Sequence, residues 1–253
     1  MSILDLSKIK SPKELEVIAR HDLEGKTLLQ IAEWINQSDD VSRVLSKGHV
    51  GYVIEKGYFG IEMNSSKLAD IPSLGIEIKT SPLTLGKDGK LRVKEPLSLN
   101  IINYTEEIKN DSIKESSFFN KNQRILFIWY VHDSEKARSE YIIKYVFLWE
   151  MDDRVIEELN PDYELIVQKI KDGKAHDIHQ SDHKRLTLCP KHGGTFKDPT
   201  CNKSKVKQPF SNAPAEIRAF RLKNSYMNLV IQRYLAKERP GDAHEFIQAK
   251  GIH

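Results

Sequence analysis

Apolar residues recur at helical spacing near the start of the chain, at Leu15, Ile18, Leu23, Leu28, Leu29, Ile31, Ala32 and Ile35. The pattern predicts two short helices within residues 11–36, broken near Gly25. A third helix is predicted over about 49–59, with Val50, Val53 and Ile54 inward. Residues 74–79 (Leu-Gly-Ile-Glu-Ile-Lys) alternate cleanly and predict a strand. In it Ile76 and Ile78 face a core, and Glu77 and Lys79 project together from an exposed edge. Asp88-Gly89 is a hairpin-type turn signal. Three further strands are predicted over 97–104, 125–132 and 141–150, rich in β-branched and aromatic residues, the last two close enough to pair as a hairpin. Residues 152–171 are helix-prone but contain Pro161, which predicts a split. From 183 to 207 the pattern dissolves into a basic loop, and a last helix is predicted over 225–237, with Tyr226 and Met227 as packing residues.

Composition narrows the class. The 253 residues suffice for one substantial core, and 30% charged against 39% hydrophobic residues is a globular profile. No apolar run approaches the roughly 20 residues that span a bilayer, and the N-terminal stretch lacks the apolar centre of a signal peptide, so a cytoplasmic location is expected. The net charge of +3 is too small to name a partner by itself. Its distribution says more, because residues 183–207 hold Lys184, Arg185, Lys191, Lys197, Lys203, Lys205 and Lys207 against a single Asp198. Such a run suits phosphate contacts with salt-dependent affinity, with Lys191 or Lys205 able to reach guanine edges. His179, His183, Cys189, His192 and Cys201 invite a zinc reading, yet no CxxC pair or knuckle spacing supports it.

The chemistry concentrates around residue 77. If Asp70 folds back against the strand, two carboxylates come together beside the Lys79 ammonium. Such a pair holds a hard divalent cation and leaves positions open for a phosphate oxygen and a water. An acid two residues before a lysine also occurs at Asp88/Lys90, Glu107/Lys109 and Asp172/Lys174, so the spacing alone says little. Only the copy at Glu77 lies in an alternating strand with an Asp seven residues upstream.

Lys47-Gly-His-Val-Gly51-Tyr-Val-Ile-Glu55, followed by Asp70-Ile-Pro-Ser-Leu-Gly75-Ile-Glu77-Ile-Lys79-Thr80-Ser-Pro82, resembles the signature of the MutH family. That family includes the mismatch-repair nicking endonuclease and type II restriction endonucleases that cut at GATC. Leu99-Asn100-Ile101-Ile102-Asn103-Tyr104 and Glu115-Ser116-Ser117-Phe118 look more like the restriction branch. Residues 218–223 and Tyr226-Met227 resemble both branches.

The resemblance implies an α/β, PD-(D/E)XK restriction-endonuclease-like fold, with a central mixed sheet flanked by helices and two lobes forming a DNA cleft. The catalytic lobe would span roughly 40–150 and the recognition region roughly 175–253 of a single endonuclease domain. It implies Mg2+ held by Asp70, Glu77 and the Ile78 carbonyl, Lys79 as the catalytic lysine, and Glu55 as an assisting carboxylate. Lys121 falls where the family contacts the DNA backbone. Lys184, Arg185, Lys191, Lys205, Lys207, Arg221 and Lys223 complete the expected DNA-binding set.

Two departures bear on specificity. Cys189-Pro190-Lys191 aligns with an Arg-Pro-Lys triplet of the repair enzyme, and Arg221 stands where that enzyme has a tyrosine implicated in sensing adenine methylation. Both departures bear on the methylation response, and the first also weakens, without removing, the expectation that the palindrome is GATC.

The expected activity is double-strand cleavage of DNA at a short palindrome. The alternatives are a methyl-directed nickase and a non-catalytic DNA-binding effector module. A monomer visiting each strand, a dimer formed on DNA and a stable dimer are all compatible with the sequence. A cognate DNA methyltransferase would act on the same site without needing to bind.

Overall fold

The structure, a computed structural model, describes residues 4–35, 50–61, 68–191 and 205–248. Its strands are β1 (Glu77–Leu85), β2 (Leu91–Val93), β3 (Leu97–Ile101), β4 (Arg124–His132), β5 (Ile143–Glu150), β6 (Leu186–Pro190), β7 (Lys205–Gln208), β8 (Ser211–Glu216) and β9 (Arg218–Leu222). The chain divides into two compact units that interleave along the sequence. One comprises Met1–Glu95, Arg124–Glu150 and Val230–His253, the other Pro96–Gln123 and Met151–Leu229.

The first unit is built on a mixed sheet in the order β2-β1-β4-β5, with β1 parallel to β4 and the outer pairings antiparallel. Helix Pro12–Leu23 begins at Ser11, whose hydroxyl accepts the Glu14 N–H, with Pro12 at a position where its missing N–H costs nothing. Its Leu15, Ala19 and Leu23 join Leu28, Ile31 and Ala32 of helix Leu28–Ile35 over Ile78, Leu126, Ile128, Ile143 and Val146 of the sheet. The break between these helices falls at Gly25, as the spacing predicts. The predicted third helix is a single α-turn, Val50–Tyr52, widening into a π-helix over Val53–Tyr58, with Val53 and Ile54 buried. The other sheet face is aromatic: Phe127 packs on Trp129, Phe147 and Trp149, and Tyr234 stacks on Phe147 at 4.0 Å.

The second unit contains a three-stranded antiparallel sheet, β3-β9-β6. Leu97, Leu186, Leu188, Phe220 and Leu222 are buried in it, and Phe118 meets Phe220 at 5.2 Å between ring centroids. Helix Asp153–Lys171 buries Val155, Leu159, Tyr163, Ile166, Val167 and Ile170. It runs unbroken through Pro161, contrary to the expected split. Pro161 lies on the exposed side, where water can satisfy the carbonyl one turn back. The segment expected to be a basic loop holds β6 and β7 instead, and β7 forms a hairpin with β8. Residue 104 likewise leaves the predicted strand: it opens a short helix, Tyr104–Glu107, capped by the Asn103 side chain. Among the described residues, no helix is long and apolar enough to cross a membrane.

Candidate active site

The site begins with a turn. Ile71 and Ile76 exchange backbone hydrogen bonds of 2.9 and 3.2 Å across residues 72–75. Gly75 holds φ +63, a left-handed value that a side chain would strain. An antiparallel bridge between 71 and 76 sets residue 70 opposite residue 77, so the seven-residue spacing is the register of this turn. Asp70 Oδ2 then accepts the Ile78 N–H at 2.9 Å. On its other side β1 pairs with β4, while β2 joins β1 only from Leu83 onward. Along 77–82 the outer edge of β1 is therefore where Asp70 docks, and Pro82 is tolerated there because that edge needs no complete ladder.

Glu77 and Lys79 share one face, as strand geometry requires, with Nζ to Oε1 at 2.6 Å. They do not lie on an exposed edge: the Glu77 side chain is 4% accessible and that of Lys79 22%. The register explains the difference. Glu77 sits beside Ile125 and Lys79 beside Phe127, on the face that also carries the buried Trp129, Phe147 and Trp149, so this face of the strand is not a solvent face. Removing one member of so enclosed a pair is costly, because the other loses a charged partner away from water.

Ile78 and Thr80 point to the opposite face. Glu55 of the π-helix approaches there, with its Oε1 and the Thr80 hydroxyl each 3.5 Å from the position a Cβ on Gly51 would take. Glu55 is thus adjacent to the catalytic-strand candidate but not gathered with Asp70 and Glu77. Among the described residues no group of three or more His, Cys, Asp or Glu side chains is assembled for a metal. What the structure shows is Asp70 hydrogen-bonded to the Ile78 N–H and, on the same strand, Glu77 paired with the Lys79 ammonium. Arg124, at the head of β4, was not singled out by the sequence. Its guanidinium reaches the Leu74 carbonyl at 3.5 Å and Glu150 at 2.6 Å, which adds a cation beside the turn that places Asp70.

The expected DNA-contact residues lie in the second unit. Lys121 lies in the last turn of helix Ser117–Asn122. Lys184, Lys191, Lys205 and Lys207 are exposed, while Arg185, Arg221 and Lys223 are half-buried. Lys223 donates from Nζ to the His183 carbonyl. Asp162, buried in helix Asp153–Lys171, accepts the N–H groups of Lys184, Arg185 and Leu186 at 2.9, 2.6 and 2.9 Å. Nothing in the sequence marks that role, because its partners are main-chain groups. Of the zinc candidates, His192 and Cys201 lie outside the described residues. His183 is buried, its Nδ1 3.1 Å from the His179 carbonyl, and desolvation holds its pKa below the usual imidazole value.

The family model described as "DNA mismatch repair enzyme MutH" matches residues 59–162. This chain contains a MutH-family domain. The type II restriction enzyme Sau3AI of Staphylococcus aureus is 33% identical over 222 residues, covering 87% of this chain but 42% of that enzyme. The DNA mismatch repair protein MutH of Shewanella baltica is 29% identical over 190 residues, covering 74% and 82%. That of Buchnera aphidicola subsp. Baizongia pistaciae is 27% identical over 157, covering 62% and 69%. The chain thus spans less than half the length of the restriction enzyme it matches.

The MutH-family domain has the restriction-endonuclease-like fold, and its matched stretch contains Asp70, Glu77, Lys79 and Lys121, with Glu55 just before it. The Asn100–Tyr104 segment, which looked like the restriction branch, serves the second unit internally. Asn122 donates to Asn100 at 2.8 Å, Asn103 caps the short helix, and the Tyr104 hydroxyl donates to the Glu216 carbonyl at 2.7 Å. Burial raises the Tyr104 pKa to about 12.

Proposed function

We propose that this protein is a magnesium-dependent endonuclease that cuts both strands of duplex DNA at a short palindrome, with GATC the first sequence to test. The observation that supports the reading most directly is the turn bridged at 71 and 76, which brings Asp70 to the edge of the strand that carries the paired Glu77 and Lys79. The donor set fits the ion: Mg2+ takes hard oxygens from one or two carboxylates and retains waters. Asp70, Glu77 and the Ile78 carbonyl would hold it. When bound, it supplies Lewis-acid polarisation of the phosphate and a more acidic water.

The chain's own residues do the rest. Asp70, fixed by the Ile78 N–H, sets the position of one carboxylate before any ligand arrives. Glu77 orients Lys79, whose ammonium stabilises negative charge developing on the scissile phosphate. Glu55, beside Thr80 on the strand's other side, keeps only the assisting role that the family resemblance implies for it. The exposed Lys184, Lys191, Lys205 and Lys207 contact phosphates, joined by Lys121, Arg185, Arg221 and Lys223, so that affinity falls steeply with salt. Cutting both strands needs two copies on one site or successive visits by one copy. A methyltransferase acting on the same sequence would protect the host DNA.

The test is incubation with plasmid of defined methylation state and Mg2+, followed by sequencing of the ends. Discrete linear fragments support the reading, and unchanged DNA across substrates and methylation states counts against it. A methyl-directed nickase is the second reading, favoured by the MutH relatives, and would leave nicked circles. A non-catalytic effector module would bind without cutting. The intact Glu55, Asp70, Glu77 and Lys79 set argues against it.

A further inference from the structure

Phe210 is 72% exposed, and it is the described non-glycine residue with positive φ, at +61. A large aromatic in water gains nothing for folding, and a left-handed backbone at a bulky residue carries strain. Retaining both costs at once implies that the surroundings impose them. The surroundings do. Phe210 caps the β7–β8 hairpin, whose tip is clamped to the turn after helix Asp153–Lys171. The buried Gln208 side chain accepts the Ala175 N–H at 2.7 Å, donates to the Ala213 carbonyl at 2.6 Å and meets His176 Nδ1 at 2.8 Å. Gly173 comes so close that a Cβ there would lie 2.6 Å from the Phe210 carbonyl oxygen. The ring is therefore presented outward from a rigid support rather than on a loose loop.

The neighbourhood is that of a nucleic-acid contact. Lys205 and Lys207 are exposed on the same hairpin, Asn212 is exposed just beyond the tip, and no acidic residue occurs between Lys205 and Ala215. We propose that Phe210 is an apolar wedge for duplex DNA, entering a groove to pack against base pairs while Lys205 and Lys207 hold the flanking phosphates. Proteins that deform or read a groove insert such apolar side chains between base steps. The inference rests on the reading of this protein as a DNA enzyme and adds to it a contact that carries no charge.

The experiment measures binding of the full chain to labelled duplexes, with and without GATC, with calcium in place of magnesium, as a function of salt. Phe210→Ala and Phe210→Gly are expected to weaken binding on the order of ten-fold. Neither should change the slope of log affinity against log salt, and Phe210→Trp should retain binding. Lys207→Ala is expected to reduce that slope by about one. Phe210→Gly relieves the left-handed strain, so its Tm should be unchanged or higher, which a ring serving the fold would not allow. Wild-type affinity in both truncations overturns the wedge and leaves the endonuclease reading standing. A change in sedimentation at unchanged DNA affinity assigns the ring to self-association and overturns it equally. Failure of the wild-type protein to bind any duplex removes both.

Discussion

Glu77 and Glu107 are both buried, at 3% and 0% exposure, and both precede a lysine by two residues. Their fates diverge because one lies in a strand and the other in a helix. In β1 the two-residue step returns to the same face, so Lys79 meets Glu77 at 2.6 Å. At the end of Tyr104–Glu107 the same step turns about 200°, and Lys109 pairs with Glu106 at 3.0 Å on the surface. Glu107 is left among neutral donors, taking hydrogen bonds from Ser117 at 2.8 Å and Tyr163 at 3.1 Å. The remaining copies are turns: Asp88 caps the Lys90 N–H, and Asp172 ends a helix. An acid-x-lysine pattern thus becomes a charged site only where secondary structure, and a second acid from the 71–76 turn, cooperate.

The comparison breaks most sharply through activity. Asp70→Asn or Glu77→Gln is expected to lower the cleavage rate about 10³-fold or more, with duplex affinity in calcium changed far less. If either variant cuts plasmid at the wild-type rate, the charged pair in β1 is as structural as its counterpart in the helix.

Next in size is Asp162. Its carboxylate satisfies three successive main-chain N–H groups, and an asparagine oxygen cannot replace it without turning an amide donor toward one of them. Asp162→Asn should lose about 2 kcal/mol of stability. Duplex affinity should fall as well, because Lys184 and Arg185 are carried on that segment. Chemical denaturation and a binding titration check both, and full affinity would detach the 184–186 segment from DNA binding.

How much of this was legible follows from where each signal lies. The β4–β5 hairpin could be read because its apolar residues are contiguous and close in sequence. The 70/77 spacing could be read too, although the turn that gives it meaning involves only main-chain bonds. Burial of Glu77 could not, because alternation marks two faces but not that the second one also carries the aromatic residues of β4 and β5. β6 was hidden for another reason. Its partner β9 is remote, with Leu186 opposite Leu222, and flanking lysines disguise a short apolar core. Asp162 left no trace at all, since backbone N–H groups have no sequence signature.

A smaller effect belongs to Glu107 and depends on pH. Burial pushes the Glu107 carboxyl above its ordinary range, so the native state holds the proton more tightly than the unfolded chain does. Its contribution to stability is fully present below the ordinary carboxylate pKa and is lost as pH rises through the raised value. Glu107→Gln should remove that loss, leaving stability at neutral pH unchanged or higher and cleavage unaffected. Thermal melts across the acid-to-neutral range measure it. A large fall in stability at every pH would mean that Glu107 is needed as an anion.

The smallest effect belongs to the lysine that the helix turns away. Lys109 and Glu106 are 62% and 54% exposed, and an ion pair in that setting gains little in water while ordering two long side chains. Lys109→Ala should shift stability by no more than about 0.5 kcal/mol and leave cleavage intact. Lys79→Ala, by contrast, strips the counter-ion from a buried carboxylate and should abolish cleavage. The two lysines differ in the element that presents them and, as a result, in partner and exposure. Equal activity in the two alanine variants would show that the strand face confers nothing the helix does not.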